Sequence, residues 1–228
     1  ERVEVLKGPQ GTLYGRNTTA GLINFITARP TDTFAAGVTG AVGNYQSYNV
    51  GGYISGPLSE RVQARIAVRS ENSGEGWQRS ASRGERLGEI SKHGVRASLA
   101  IQPGDSTQID FSATYWRNES DTVAGQGIGF TPATANSPFN APGLVNYIRS
   151  NPPNDATDAD WAPESVRSTD IGIGAGLAGP LRENNPFTGL KLRIDRDLSD
   201  SVKLVSLSSY NEFEREALFD WSGAPYEI

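Results

Sequence analysis

The chain has 228 residues, a formal net charge of −5, 36% hydrophobic residues, a single histidine and neither cysteine nor methionine. The missing thiols exclude disulfides, thiolate metal sites and cysteine nucleophiles, one histidine disfavours a histidine-rich metal centre or a Ser-His-Asp triad, and the acidic balance gives nucleic acid no footprint. No run of about 18 apolar residues exists to form a membrane-spanning helix, which leaves spanning β-strands open, since those need only about 9–11 residues with alternate positions apolar.

In chain order, residues 2–6 read as a short strand, with Val3 and Val5 alternating against Arg2 and Glu4. Lys7, Gly8 and Pro9 stop it, and Gly11 and Gly15 supply turn conformations. A chain that opens inside a strand, with no initiator methionine, is expected to be part of a longer protein. Segments 35–43 and 48–57 are glycine-rich and alternate weakly. The next four alternate strongly: Val62, Ala64, Ile66 and Val68 against Gln63, Arg65 and Arg69; Val95, Ala97, Leu99 and Ile101 against Arg96, Ser98 and Gln102; Ile109, Phe111, Ala113 and Tyr115 against Asp110, Ser112 and Thr114; and Leu190, Leu192 and Ile194 against Lys191, Arg193 and Asp195. A last extended segment, 202–215, has an ambiguous facing, because either Val205 and Leu207 or Leu204 and Tyr210 define its apolar side. About seven strands result.

The connections divide by length. "GPLSER", "PGDST" and "DLSDS" are tight turns of Gly, Pro, Asp and Ser. Residues 72–87 and 120–187 form long loops, the second holding eight of the thirteen prolines and one helical turn near 144–150. Walked as a meander, the three tight turns fall at one end and both long loops at the other, with a short turn at 44–47. Outer-membrane barrels show this asymmetry. Tyr45, Tyr48, Tyr115, Trp116 and Phe213 gather near strand ends, where an interfacial aromatic girdle would sit. A soluble antiparallel sheet module that binds a ligand would show the same alternation with its apolar face inward.

Isolated motifs carry little chemistry. "GAGLAG" at residues 174–179 has the spacing of a dinucleotide loop, but Pro180 follows where a helix must start. Asp155, Asp158 and Asp160 match no Ca²⁺ loop and read as solvated charge. His93 shares the parity of Val95 and reads as structural. No nucleophile, base and oxyanion donors stand out, so the chain is read as no enzyme, with no cofactor and no metal.

The opening stretch "ERVEVLKGPQGTLYGRNTTAGLINFITARP" resembles the end of the plug domain of TonB-dependent outer-membrane receptors. The resemblance rests on Glu4 to Gly8, Pro9 to Gly11, Leu13 to Arg16, Gly21 to Thr27 and Pro30, with Phe25 where an aliphatic residue is commoner. It implies an all-β fold: residues 1–31 as the C-terminal part of a plug, and residues 32–228 as the N-terminal part of a transmembrane antiparallel up-and-down barrel, an open sheet here because seven strands cannot close a wide barrel. Gly8, Gly11, Gly15 and Gly21 become plug turns, and Arg2, Glu4 and Arg16 become candidate contacts to the barrel wall. Arg65, Arg69, Arg96, Asp110, Lys191, Arg193 and Asp195 become lumen-facing, while the apolar faces meet outer-membrane lipid. The function implied is uptake across the bacterial outer membrane of a scarce, bulky solute, a ferric siderophore or other iron complex. Oligosaccharide and cobalamin import are the alternatives within the family. The implied partners are TonB and its inner-membrane energising complex, acting through a segment outside this sequence.

Overall fold

The computed structural model describes residues 2–14, 18–128, 142–167 and 178–225. It opens with a hairpin of β1 (Arg2–Lys7), a one-turn helix α1 (Gly11–Tyr14) and β2 (Gly21–Ile26), the two strands pairing antiparallel from Arg2 opposite Ile26 to Lys7 opposite Gly21. Gly8 takes φ +83° as the chain leaves β1. Gly21 takes φ +137°, and a Cβ there would lie 2.4 Å from the Leu6 carbonyl oxygen, so the hairpin closes only with glycine at that position.

Seven long strands then form one antiparallel meander: β3 (Ala35–Gly43), β4 (Ser47–Ser59), β5 (Val62–Ser73), β8 (Ser91–Gly104), β9 (Thr107–Asn118), β11 (Glu183–Ser199) and β12 (Val202–Phe213). Short elements that interrupt this numbering, β6 (Gln78–Ser80), β7 (Arg86–Leu87), α2 (Pro142–Ser150), β10 (Asp158–Ala159) and β13 (Glu216–Ala217), belong to the connections. Strand order follows chain order, and among the described residues β3 and β12 do not pair with each other, so the sheet is open, as expected. Two-residue turns at 60–61, 105–106 and 200–201 lie at one end, and the connections 74–90 and 119–182 at the other. At a fourth short turn, residues 44–46 beside the long connections, Tyr45 and Gln46 both adopt left-handed φ (60° and 52°).

Register gathers the alternating residues into continuous rows. Ala36, Ile54, Ile66, Ala97, Ala113, Leu190 and Tyr210 lie across from one another on successive strands, so they share a face. Val62, Ile101, Ile109 and Ile194 form a parallel row nearer the turn end. The same register settles β12, with Leu204 and Tyr210 on the apolar face and Val205 and Leu207 opposite Asp195 and Arg193 on the polar one. Ile54, Ile66 and Val68 stay 51%, 49% and 53% exposed. A soluble sandwich would bury such a face under a second sheet, and no second layer covers it among the described residues.

The packed core lies instead in the long connections. Leu87, Ala124, Ala159, Trp161 and Leu181 form a buried cluster with Leu218 against it, and β10, β6 and β7 make a small sheet beside it. The expected helical turn is α2, anchored by buried Leu144. Polar clasps hold this cap together. Gln78 receives a hydrogen bond from the Ala124 amide (2.8 Å) and donates to its carbonyl (3.0 Å). Arg79 pairs with Asp158 at 2.6 Å, and Asn154 donates to the other carboxylate oxygen at 2.9 Å. Asp160 accepts from Ser80 at 2.8 Å and from Tyr147, with Arg83 at 3.5 Å. Asp158 and Asp160 therefore correct the sequence reading of solvated loop charge: both are buried, because cations and hydroxyls of the neighbouring connection enclose them. Asp155 caps a local turn, accepting from the Thr157 amide and hydroxyl.

Arg79, foremost, and then Asn154 hold the Asp158 carboxyl below its ordinary range. A depressed carboxyl stabilises the fold above its unfolded value of about 3.9, and that contribution is lost as pH falls through the lower folded value. Hydrogen exchange over residues 74–90 and 142–167 of the full-length protein, corrected for intrinsic rates, is expected to stay slow from pH 7 to 5. It should rise several-fold below about pH 4, and Asp158→Asn should show the faster exchange already at pH 7.

Candidate functional site

The polar face of the sheet meets the N-terminal hairpin through residues 27–34. Pro30 fixes its own φ and biases Arg29 before it towards extended backbone, so this stretch crosses the sheet without pairing into it. One guanidinium nitrogen of Arg29 reaches both oxygens of Asp110 on β9, at 2.6 and 2.5 Å, and Gln108 donates to the same carboxylate at 3.0 Å. Two residues on, the Thr31 amide and hydroxyl both donate to Ser55 Oγ on β4, at 3.0 and 2.8 Å. Ser55 is 3% exposed and donates onward to the Ala64 carbonyl at 3.3 Å. The exposed ion pair is worth about 0–1 kcal/mol, and the buried hydroxyl contact supplies the geometric precision.

Beside this seam the polar face carries a second charged tract. Arg193 donates two hydrogen bonds to Asp195, at 2.5 and 2.9 Å, and Lys203 lies 3.8 Å from the same carboxylate. Register puts Arg193 across from Asp110, so the two tracts adjoin. Towards the loop end, Arg65 lies 3.8 Å above the Tyr53 ring, and Arg96 donates to Thr114 at 2.8 Å. The Tyr53 ring covers Gly37, where a Cβ would fall 2.6 Å from it. A cavity of about 450 Å³ separates Thr27 and Ala28 from Arg65, Arg69, Arg96 and Trp116.

Arg65, Arg69, Arg96, Asp110, Lys191, Arg193 and Asp195 all lie, by register, on the face that residues 27–31 cross. Arg2 and Glu4 meet each other (2.8 Å) on β1, and Asn24 donates to Glu4 at 3.3 Å; these bonds, Arg2 first, lower the Glu4 pKa. Arg16 and Gly15 lie outside the described residues, as do residues 174–177 of "GAGLAG". Trp116 and Phe213, expected in an interfacial girdle, lie instead on the polar face, where Trp116 stacks on Phe187 and meets the tilted Phe213 ring, each with centroids 5.9 Å apart, because all three share inward parity. Tyr48 and Tyr115 do occupy the apolar face. His93 lies on that face too, near the loop end, bonded to Ser70 at 3.0 Å. Sequence reading missed Arg29, Thr31 and Ser55. The Arg-Pro step at the expected plug boundary was the available signal.

A sheet of long strands with a bare apolar face, and a charged opposite face crossed by the segment that leaves an N-terminal hairpin, has the pattern of an outer-membrane barrel wall with an inner element tied to it. No protein-family model matches the chain. Among curated proteins, the vitamin B12 transporter BtuB of Photobacterium profundum is 26% identical over 178 residues, covering 78% of this chain and 29% of the relative. The pesticin receptor of Yersinia pestis is 40% identical over 60 residues, covering 26% and 9%. The ferrichrome outer membrane transporter/phage receptor of Escherichia coli K12 is 26% identical over 122 residues, covering 54% and 15%. The chain thus spans under a third of the length of these relatives. The open form of the ferric-catecholate import receptor Fiu from E. coli K12 shares the fold, with a TM-score of 0.66 over 93% of this chain and 28% of that one, at 16% identity. The ferric yersiniabactin uptake receptor FyuA of Y. pestis gives a TM-score of 0.63 at 19% identity, covering 95% and 29%. The chain is homologous to TonB-dependent outer-membrane receptors, over part of the plug and part of the barrel, and its place is the bacterial outer membrane.

Cysteines at Thr31 and Ser55 of the full-length protein are expected to form a disulfide under mild oxidation, read as a mobility shift on non-reducing gels. Adding Asp110→Asn, which removes the Arg29 anchor, should lower the yield several-fold. No disulfide in the otherwise unchanged protein would exclude this seam.

Proposed function

We propose that the chain belongs to a receptor that actively imports a scarce, bulky solute across the outer membrane, a ferric siderophore or other iron complex. The observation that carries this reading is the hairpin tied by Arg29 to Asp110 on the polar face of a sheet homologous to receptor walls. Residues 1–31 would then be the end of the plug and residues 32–228 the beginning of the barrel. The cap of long connections would face the cell exterior and the two-residue turns the periplasm. The iron chemistry is supported by relatives named for ferrichrome, ferric-pyoverdine and ferric-catecholate.

Import would be energised from the inner membrane by TonB and its complex, pulling on plug sequence that precedes this hairpin. A large barrel is too wide for side chains to fill, so a plug must gate it. The contribution of these residues is to fix where that plug leaves the wall. A second reading, cobalamin import, is favoured by the alignment to the vitamin B12 transporter, which extends over most of the chain. No residue in this sequence is assigned a role in choosing between the two cargoes.

Uptake by cells carrying the full-length protein, measured with a panel of ferric siderophores, haem, cobalamin and oligosaccharides under iron limitation, is expected to show accumulation of an iron complex that stops when the inner-membrane energising complex is deleted. Accumulation of cobalamin alone would establish the second reading, and accumulation of none would overturn both.

Ile66, central in the apolar row, tests the lipid-facing assignment. Ile66→Arg is expected to destabilise the inserted barrel by about 2–4 kcal/mol, read as a lower urea midpoint for refolding into vesicles, with Ala67→Ser on the opposite face near neutral.

A further inference from the structure

Three arginines on the polar face stand apart from its other charges. Arg65 and Arg69 lie two positions either side of Ala67 on β5, and Arg96 on β8 is directly across from Ala67. The register therefore sets a triangle, with Arg96 diagonal to both of the others at roughly 7–8 Å between side-chain bases. Arg193 and Arg29 are each neutralised by a carboxylate, but none of these three pairs with one among the described residues. Arg65 rests on the Tyr53 ring, Arg96 bonds the neutral Thr114 hydroxyl, and no ion pair joins Arg69 to a described residue. Glu71 shares the face one position further out, opposite Lys92, and is not ion-paired to Arg69.

The cavity of about 450 Å³ opens directly over this triangle. The segment that crosses above it presents Thr27 and Ala28, which bring no charge. Three guanidinium groups held on a rigid sheet, two of them oriented by a ring and a hydroxyl, repel one another unless an anion arrives between them. Guanidinium forks suit the paired oxygens of carboxylates and similar oxyanions. Preorganisation on strands lowers the ordering cost of binding such a group.

We propose that Arg65, Arg69 and Arg96 form an anion-binding patch on the inner wall that takes a group bearing several oxyanion charges. This deepens the receptor reading and rests on it for its setting. The oxyanions come either from a solute in transit or from acidic side chains elsewhere in the same protein.

The test titrates inorganic pyrophosphate, a compact polyanion, into full-length protein purified in detergent at low salt, following the fluorescence of Trp116, which lines the cavity. Trp116→Phe identifies the signal. The expected result is saturable binding, weakened at least tenfold in the R65Q/R69Q/R96Q variant, retained in part by R65K/R69K/R96K and falling with added salt. Heat-modifiable gel mobility checks that each variant is folded.

If internal carboxylates occupy the patch, the unaltered protein shows no pyrophosphate signal. The glutamine variant then raises ion conductance in planar bilayers several-fold, and the lysine variant does not. Both results support the patch and separate its two sources. Absence of pyrophosphate binding together with unchanged conductance in the glutamine variant overturns it. Failure of every solute in the uptake panel would overturn the import reading instead, and would leave this equilibrium binding untouched.

Discussion

Every property of the wall depends on a two-residue period held in register across seven strands. Because successive side chains point to opposite faces, a slip of one residue in any strand would move its arginines into lipid and its isoleucines into the lumen. The two-residue turns at 60–61, 105–106 and 200–201 leave little freedom for such a slip. The long connections cannot enforce register in that way. There the pairing rests on rows such as Ile66, Ala97, Ala113 and Leu190, whose misplacement would expose charge to hydrocarbon.

A wall of this kind has no interior of its own, and that explains where the buried residues are. The apolar face is stabilised by lipid and the polar face by what is docked on it, so the buried apolar cluster of the described residues forms among the connections around Trp161. Buried carboxylates tie this cap together as well: Asp160 joins Ser80 and Arg83 of the first long connection to Tyr147 of the second, and Asp220 receives the Ala162 amide at 2.8 Å. Such contacts are directional, and removing one partner leaves the other buried and unsatisfied, so the cap is expected to lose order cooperatively.

Alternation made the strands legible in the sequence, and parity alone assigned the polar face its seven charged residues. The pairing partners were not legible. Asp110 was visible as an inward charge, but its bond to Arg29 spans 81 positions and depends on how the hairpin sits, which no local pattern encodes. Asp158 and Asp160 were misread for the same reason: in the chain they look like loop charge, and only the return of β10 beside β6 surrounds them. The aromatic girdle failed at Trp116 and Phe213 because proximity to a strand end was weighed above parity, although parity alone would have placed both inward. On β12 the composition was balanced between its faces, and pairing with β11 decided it.

The polar face is divided in its chemistry. Across β9 and β11 both carboxylates have cationic partners: Arg29, beside Gln108, bonds Asp110, and Arg193 bonds Asp195. Across β5 and β8, Arg65 and Arg96 have a ring and a hydroxyl but no carboxylate partner among the described residues, and the cavity lies above them. Lifting residues 29–31 from the wall would separate the exposed Arg29–Asp110 pair and leave the buried Ser55 hydroxyl without its two Thr31 donors, whereas no described hydrogen bond ties Thr27 or Ala28 to Arg65 or Arg96. On the proposed reading of residues 1–31 as plug, the β5–β8 side of the seam is therefore the cheaper one to open, and the segment from Arg29 to Thr31 is the point that holds.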